Sequence, residues 1–257
     1  MINIFQFSHN EYQDLYEFIE NISCQVAKYL NKSTINLRWY DYKKYCEDIL
    51  DFKFCEYEFN TNLKNCIAGT TLYNKNGIVI CCNKGMMVIE RFNFSTCHEM
   101  SHGLAHIDRN ENRPFMDLLY EESDEIIERE ADVMASIMMI NDQQIIKEFE
   151  SPYVTLDYLR KEYGMSYQAL EVRLKQFLYY RYGFNKKALN QIIRALKVKK
   201  PIIYFIIHQL DNYLEYAYYN GNNINSFYKF CQSKGEYRLA VIKDFAITIT
   251  TQKQLIS

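Results

Sequence analysis

Glycine and proline are scarce in this sequence, with 8 and 3 residues among 257. This scarcity favours long helices over a turn-rich all-β fold, which needs many residues of both types. No basic segment followed by an apolar core opens the chain, so no secretory signal is expected. The most apolar run, Pro201–His208, is far too short to span a bilayer, so no membrane partner is expected.

An excess of charge of one sign is also lacking, because 30 Lys and Arg residues face 32 Asp and Glu residues. A chain with this balance has no global field that attracts nucleic acid or an acidic membrane. Eight cysteines are present without C-x-x-C spacing, in a chain too long to depend on disulfides for its fold. We therefore expect reduced thiols in a cytoplasmic protein.

What the sequence does contain is helical periodicity, together with many Tyr and Phe residues that can pack between helices. Ser8 and Glu11 have the spacing of a capping box and predict a helix that ends near Leu30. The same kind of pattern predicts further helices over Tyr40–Leu50, Asp124–Ile140, Leu156–Tyr163, Tyr167–Tyr180, Asn185–Val198 and Pro201–Tyr219.

Three strand-like segments precede a histidine-containing helix; they are Phe52–Phe59, Ile67–Tyr73 and Ile78–Cys82. The pair Asn76-Gly77 is typical of a two-residue hairpin turn, so the last two segments are predicted to pair with each other. The predicted fold class is α+β and mostly helical, with a small antiparallel sheet packed on the helix that follows and a helical C-terminal region.

Two of the five histidines lie in one H-E-x-x-H motif, His98-Glu99-Met100-Ser101-His102. Residues four apart share one face of a helix, so two imidazoles there can hold one metal ion. Glu99 stands beside the first histidine, where a carboxylate can activate a metal-bound water, and this arrangement suits zinc. The same residues are also compatible with an amphipathic helix whose surface histidines bind no metal. A third ligand is needed to distinguish a metal site from this alternative.

Glu130 is the candidate third ligand. It stands four residues from both Ile126 and Met134, which predicts that it lies on the apolar face of its helix. A carboxylate there needs a positive partner, either a basic side chain or the metal ion. Glu128 is offset by about 200° around the helix and is expected to face solvent. Glu130 is therefore preferred over Glu128, Glu125 and Glu122.

His106 continues the series begun by His98 and His102. Eight residues of helix separate it from His98 by about 12 Å along the axis, so one ion can hardly bind all three. We interpret His106 as structural or as a residue near the substrate cleft.

These motifs occur in an order that resembles the ImmA/IrrE family of metallopeptidases. The resemblance covers roughly Phe52–Leu174. Three features depart from the family pattern: Asp132 replaces the usual Asn, Met134 replaces Phe, and the Pro often found after the helix is absent after Met139-Ile140. The matched segments are Ile80–Asn83, Arg91-Phe92, His98–His106, Glu130–Ala135 and the helical pair 158–177.

The resemblance implies a cytoplasmic zinc endopeptidase with a minimal thermolysin-like core and a small helical domain attached. One zinc ion would be held by His98, His102 and Glu130, and Glu99 would act as general base on a zinc-bound water. Characterised members of the family cleave helix-turn-helix repressors, so such a repressor is the implied substrate.

Three regions are expected, namely a metallopeptidase core over 1–150, a helix-turn-helix-like pair over 151–182 and a mostly helical extension of unknown role over 183–257. The helix pair leaves two alternatives open. The protein could be a non-catalytic regulator that binds and displaces a repressor, although a binding-only protein would not need Glu99. It could also bind DNA directly, which the mixed charges of the pair disfavour.

Overall fold

The structure, a computed structural model, describes residues 7–58, 68–74, 77–86, 88–107, 122–184 and 186–199, with the isolated residues 203 and 207. Asn76 of the predicted turn and the segments predicted beyond residue 207 lie outside these residues. The α+β, mostly helical class is confirmed. In the described part of the chain, no helix combines the length and the apolar character needed to cross a membrane.

Contacts between residues divide the chain into two compact units. The first contains the described residues up to Gln144 together with Leu159–Leu170, and the second contains Ile145–Tyr158 and the described residues from Glu171 onward. The H-E-x-x-H motif belongs to the first unit. The domain boundaries at residues 150 and 182 stay a prediction.

Helix α1 spans His9–Leu30, as the capping pattern predicts. The backbone N–H of Ser8 donates to Glu11 Oε2 at 2.7 Å, and the N–H of Glu11 donates back to Ser8 Oγ at 3.2 Å. The helix ends where Asn31 adopts a left-handed conformation. Its buried residues Tyr12, Ile19 and Val26 recur at helical spacing, so one face of α1 packs inward.

Helix α2, Trp39–Asp48, is followed by three strands: β1 over Lys53–Tyr57, β2 over Gly69–Asn74 and β3 over Gly77–Asn83. The predicted hairpin between β2 and β3 is confirmed, with Tyr73 opposite Ile78. The sheet is nevertheless mixed rather than antiparallel, because β1 runs parallel to β3 on its other side. A turn motif fixes the partner of β2, whereas the mostly exposed residues of β1 give no local indication of its partner or direction.

Helix α3, Ile89–Ser101, continues into a π-helical turn, His102–His106, and packs against helix α4, Glu122–Met139. Ala131 and Ala135 of α4 are fully buried, and such small side chains allow two helix backbones to approach closely. The thiol of Cys97 on α3 donates to Met139 Sδ at 3.5 Å. The helix that carries the two histidines is therefore held against a helix rich in carboxylates.

The remaining described helices are α5 over Asp142–Glu148, α6 over Leu156–Tyr163, α7 over Tyr167–Tyr182 and α8 over Lys186–Lys197. The predicted helix pair is confirmed as α6 and α7. Between them, Gly164 has φ +61°, and the Ser166 hydroxyl accepts the N–H of Ala169 at 3.1 Å. Asn93 of α3 donates to the carbonyl of Gly164 at 3.0 Å, which ties α6 to the helix of the histidine motif.

Gly103 is required where the π-helical turn meets the sheet. A Cβ at this position would lie 2.7 Å from Cε2 of the buried Phe52 ring and 3.3 Å from Ile78 Cγ2. We expect Gly103→Ala to lower the free energy of unfolding by about 1–3 kcal/mol, because the added methyl overpacks a filled core. Chemical denaturation would measure the change.

The matched control combines Gly103→Ala with Phe52→Leu, which removes the ring from the site of the clash. The added methyl group should then lower the free energy of unfolding by less than it does in the wild-type background. A cost that is equal in both backgrounds would show that Phe52 is not the obstacle.

Candidate metal centre

Helix α3 brings two imidazoles of the motif together. His98 and His102 lie one turn apart, and their Nε2 atoms approach to 3.0 Å. His102 is almost completely buried. The helical spacing predicted from the sequence thus places both nitrogens at one point.

Helix α4 adds two carboxylates, also one turn apart. Glu128 Oε2 lies 3.1 Å from His98 Nε2, and Glu128 Oε1 lies 3.3 Å from His102 Nε2. Asp132 Oδ1 lies 3.0 Å from His98 Nδ1, on the far side of that ring. Among the described residues, His98, His102 and Glu128 form the group whose ligand atoms converge tightly enough to hold a metal ion.

Glu128 and Glu130 contact different histidines in this geometry. Glu128, expected to face solvent, lies against the two imidazoles, whereas Glu130 Oε2 lies 3.1 Å from His106 Nε2 and outside the converging group. Glu128 is thus the third member of the converging group, and the ligand set His98, His102 and Glu130 stays a prediction.

The reason lies in which face of α4 is closest to α3. From Ala131 to Ile140 nearly all of the helix is buried, so Met134 and Ile137 do not single out one face. Only the first two turns of α4 show which face points to solvent. Ile126 lies on that face, because its side chain is 54% exposed. Glu128 precedes the fully buried Ala131 by three residues and therefore shares its face.

The atoms of this cluster fit a cation. Asp132 only accepts hydrogen bonds, so Nδ1 of His98 donates to it and Nε2 lies on the other side of the ring. That Nε2 lies 3.0 Å from His102 Nε2 and 3.1 Å from Glu128 Oε2. Ligands of one tetrahedral zinc ion lie about 3.4 Å apart, so the spacing is close to that of a zinc site.

The pKa shifts show that the cluster stabilises positive charge. Burial disfavours the charged imidazole of His98, but hydrogen bonds to Asp132 and Glu128 outweigh burial and raise its pKa to about 10. Hydrogen bonds from His102 and His98 hold the pKa of Glu128 well below its ordinary value. A proton shared by these groups compensates the negative charge of the carboxylates, and a divalent cation at the same point would do the same.

Glu99, the predicted general base, is buried beside the cluster and contacts β2. The Thr71 hydroxyl lies 2.8 Å from Glu99 Oε2 and 2.9 Å from the Glu99 carbonyl oxygen, so its one proton can be donated to either. A Cβ at Gly69 would lie 2.7 Å from Glu99 Cγ, so the absence of a side chain at Gly69 leaves room for the side chain of Glu99. Burial raises the pKa of Glu99 above its ordinary value.

His106 stands next to this cluster rather than in it. Its Nδ1 lies 3.0 Å from His102 Nδ1, on the side of that ring opposite His98. Burial and the neighbouring imidazoles lower the pKa of His106 to about 4. The position agrees with the expectation that one ion does not contact all three histidines.

Sequence reasoning did not identify Glu128, Thr71 or Gly69. Glu128 and Asp132 repeat the i, i+4 spacing of His98 and His102, and that shared spacing is the pattern that could have indicated them. Thr71 and Gly69 reach Glu99 through the packing of β2 on α3. A contact across 28 residues leaves no local pattern in the sequence.

The possible His-His-Glu metal site suits a metallopeptidase-type family. Residues 73–175 match the family model described as the IrrE N-terminal-like domain, peptidase M78. Over these residues the chain is similar to the ImmA/IrrE family, which confirms the resemblance drawn from the motifs. No curated protein matches the chain.

Thr71→Val tests the contact that orients Glu99. The Thr71 hydrogen bond lowers the pKa of Glu99, so its loss should raise that pKa further. Carbon-13 NMR titration of the glutamate carboxyl groups in the metal-free protein would measure the change, with Glu99→Gln used to assign the resonance.

Thr70→Val is the matched control, because adjacent residues of a strand point to opposite faces. It should leave the Glu99 titration unchanged. Identical titrations of Glu99 in wild type and Thr71→Val would contradict the assigned role of the hydroxyl.

Proposed function

We propose that this chain is a zinc-dependent endopeptidase of the ImmA/IrrE type that cleaves a regulatory protein, such as a helix-turn-helix repressor. The observation that carries the proposal is the convergence of His98, His102 and Glu128 beside the buried carboxylate of Glu99. Two imidazoles, one carboxylate and an adjacent glutamate are the groups that hydrolytic zinc sites use.

One zinc ion is the proposed cofactor, held by His98, His102 and Glu128. Zinc bound there would polarise a scissile carbonyl and make water more acidic. Asp132 supports the site by accepting the Nδ1 proton of His98, which fixes that ring and leaves Nε2 free to bind. The predicted ligands His98 and His102 are kept, and Glu128 takes the place expected for Glu130.

Glu99 is the proposed general base. Its carboxylate would accept a proton from the attacking water and return it to the leaving amine. The Thr71 hydroxyl orients the carboxylate of Glu99 by a hydrogen bond, and Gly69 leaves room for the Glu99 side chain. Burial raises the pKa of Glu99, which makes it a stronger base than an exposed glutamate.

We propose the cytoplasm as the site of action. The six cysteines among the described residues are free thiols, which suits a reducing compartment. Helix-turn-helix repressors are found in that compartment, so substrate and enzyme would meet there.

The third ligand can be tested by comparing Glu128→Ala with Glu130→Ala. We expect Glu128→Ala to weaken zinc binding by more than about 100-fold, beyond the range of losses caused by residues that support a ligand. Glu130→Ala should weaken binding less and should still load one zinc per chain. Chelator competition and elemental analysis would measure affinity and stoichiometry. Loss of zinc in Glu130→Ala alone would restore the ligand set expected from the sequence.

The role of Glu99 can be tested with Glu99→Gln, which keeps the shape of the side chain and removes its basicity. Zinc content should be unchanged, and the rate of cleavage of a co-purified repressor should fall by at least about 100-fold. Glu125→Gln, the same change at an exposed position of α4, should leave both unchanged.

A regulator that displaces its repressor without proteolysis predicts a different result. Repressor release would then occur without fragments and would persist in Glu99→Gln. That outcome would replace the endopeptidase proposal with the binding alternative.

A further inference from the structure

Cys55 and Cys81 lie opposite each other on neighbouring strands of the sheet. They are register partners in the parallel pair formed by β1 and β3. Neighbouring strands lie about 4.8 Å apart, and residues in register project their side chains to the same face. The Cα atoms of a disulfide are about 4.4–6.8 Å apart, so the backbone holds the two residues at a distance that a disulfide can bridge.

The two thiols also contact each other. Burial, followed by a hydrogen bond with Cys55, raises the pKa of Cys81 to about 12. A hydrogen bond raises the pKa of a thiol when that thiol is the donor, so the S–H of Cys81 points toward the Cys55 sulfur. Cys55 is exposed and Cys81 is half-buried, so solvent reaches one sulfur and the other lies directly beside it.

This pair lies on the face of the sheet that points away from α3. Side chains alternate along a strand, and the next residue, Cys82, faces α3, where its Sγ lies 3.4 Å from Thr96 Oγ1. Thr71 of β2 reaches Glu99 from the same inner face. Cys55 and Cys81 are therefore separated from the metal cluster by the sheet itself.

We propose that Cys55 and Cys81 form a redox-active dithiol, which a peroxide converts reversibly into a disulfide that links β1 to β3. Neither a bound metal nor peptide cleavage is needed for this reaction. Disulfides that form in reducing compartments are usually transient and serve redox sensing or catalysis, so a reversible bond agrees with the free thiols of the reduced chain.

The reaction balances with hydrogen peroxide as the oxidant. The thiolate of Cys55 attacks one peroxide oxygen, the O–O bond breaks, and the released hydroxide takes up the proton that Cys55 lost. The sulfur of Cys81 then attacks the sulfenic acid of Cys55, the S–O bond breaks, and the Cys81 proton leaves with the hydroxyl group as a second water. Two thiols lose two electrons, one peroxide becomes two waters, and a thiol reductant such as glutathione reverses the oxidation.

Contacts at both ends of β1 keep the two cysteines in register. Lys84, the residue after β3, donates to Glu56, the residue after Cys55, with Nζ and Oε2 2.7 Å apart. Before the strand, the Phe52 ring lies against Gly103 of the π-helical turn. β1 is nevertheless an edge strand with mostly exposed residues, so a covalent link to β3 would restrict its separation from the sheet.

The first test identifies the partner of Cys55. The full chain is treated with hydrogen peroxide, the remaining thiols are alkylated under denaturing conditions, and the digest is analysed by mass spectrometry. We expect a peptide pair joined through Cys55 and Cys81, the loss of two thiols per chain, and complete reversal by dithiothreitol. A Cys55 that is joined to a second chain, joined to another cysteine or oxidised alone would overturn the proposal.

Cys81→Ser and its control Cys24→Ser test the division of roles. Cys24 is an exposed thiol on α1, so Cys24→Ser should form the disulfide to the same extent as wild type. Cys81→Ser removes the second sulfur, so peroxide should leave Cys55 as a sulfenic acid, which dimedone labels. Equal labelling of Cys55 in wild type and Cys81→Ser would show that Cys81 does not resolve the sulfenic acid.

The effect on the sheet is measured by hydrogen exchange and thermal unfolding. The disulfide would close the chain between residues 55 and 81, so it should slow amide exchange in β1 and raise the Tm by about 5–10 °C. Peroxide should cause neither change in Cys81→Ser, and wild type reduced again with dithiothreitol supplies a reference without any substitution. Unchanged exchange and Tm in protein that carries the disulfide would refute the link between the strands.

Zinc content distinguishes this redox role from metal binding by the thiols. Elemental analysis should give equal zinc content in the reduced and oxidised wild type, because the pair lies on the face away from the cluster. Cys55→Ser and Cys81→Ser should each keep this content as well. Loss of zinc in both variants would show that the thiols bind the metal, and it would overturn the redox role.

Discussion

The close packing of α3 on α4 is the constraint on which the site depends. The Cys97 thiol of α3 lies 3.5 Å from Met139 Sδ of α4, so the two helices are in direct side-chain contact. That approach brings the imidazoles of one helix into hydrogen-bonding distance of the carboxylates of the other.

Charge compensation follows from the same packing. Three carboxylates of α4 lie against the histidines of α3 and its π-helical extension, while Glu99 is buried on the sheet side of the cluster. The side chains of the three α4 carboxylates are 31–45% exposed, and together with the buried Glu99 they form a negative region that positive partners stabilise. The unit around the cluster is therefore arranged to hold a cation, with the histidines as the groups that contact it.

The features predicted correctly from the sequence are those that depend on interactions between residues close together in the chain. The capping box at Ser8, the β2–β3 hairpin and the spacing of His98, Glu99 and His102 depend on residues a few positions apart, and each is present in the structure. The direction of β1, the convergence of Glu128 with the two histidines, and the contact of Thr71 with Glu99 depend on how elements pack. For α4, apolar residues on every side of its second half concealed the face that meets α3.

The division of the cluster between two helices has a thermodynamic consequence. When an ion binds to groups on both helices, its binding free energy also resists their separation, and unfolding must release the ion. Such linkage adds about 4 kcal/mol to stability when free ligand exceeds its dissociation constant a thousandfold. The melting temperature of this protein would then report the concentration of free metal around it, and a chelator would act as a mild denaturant.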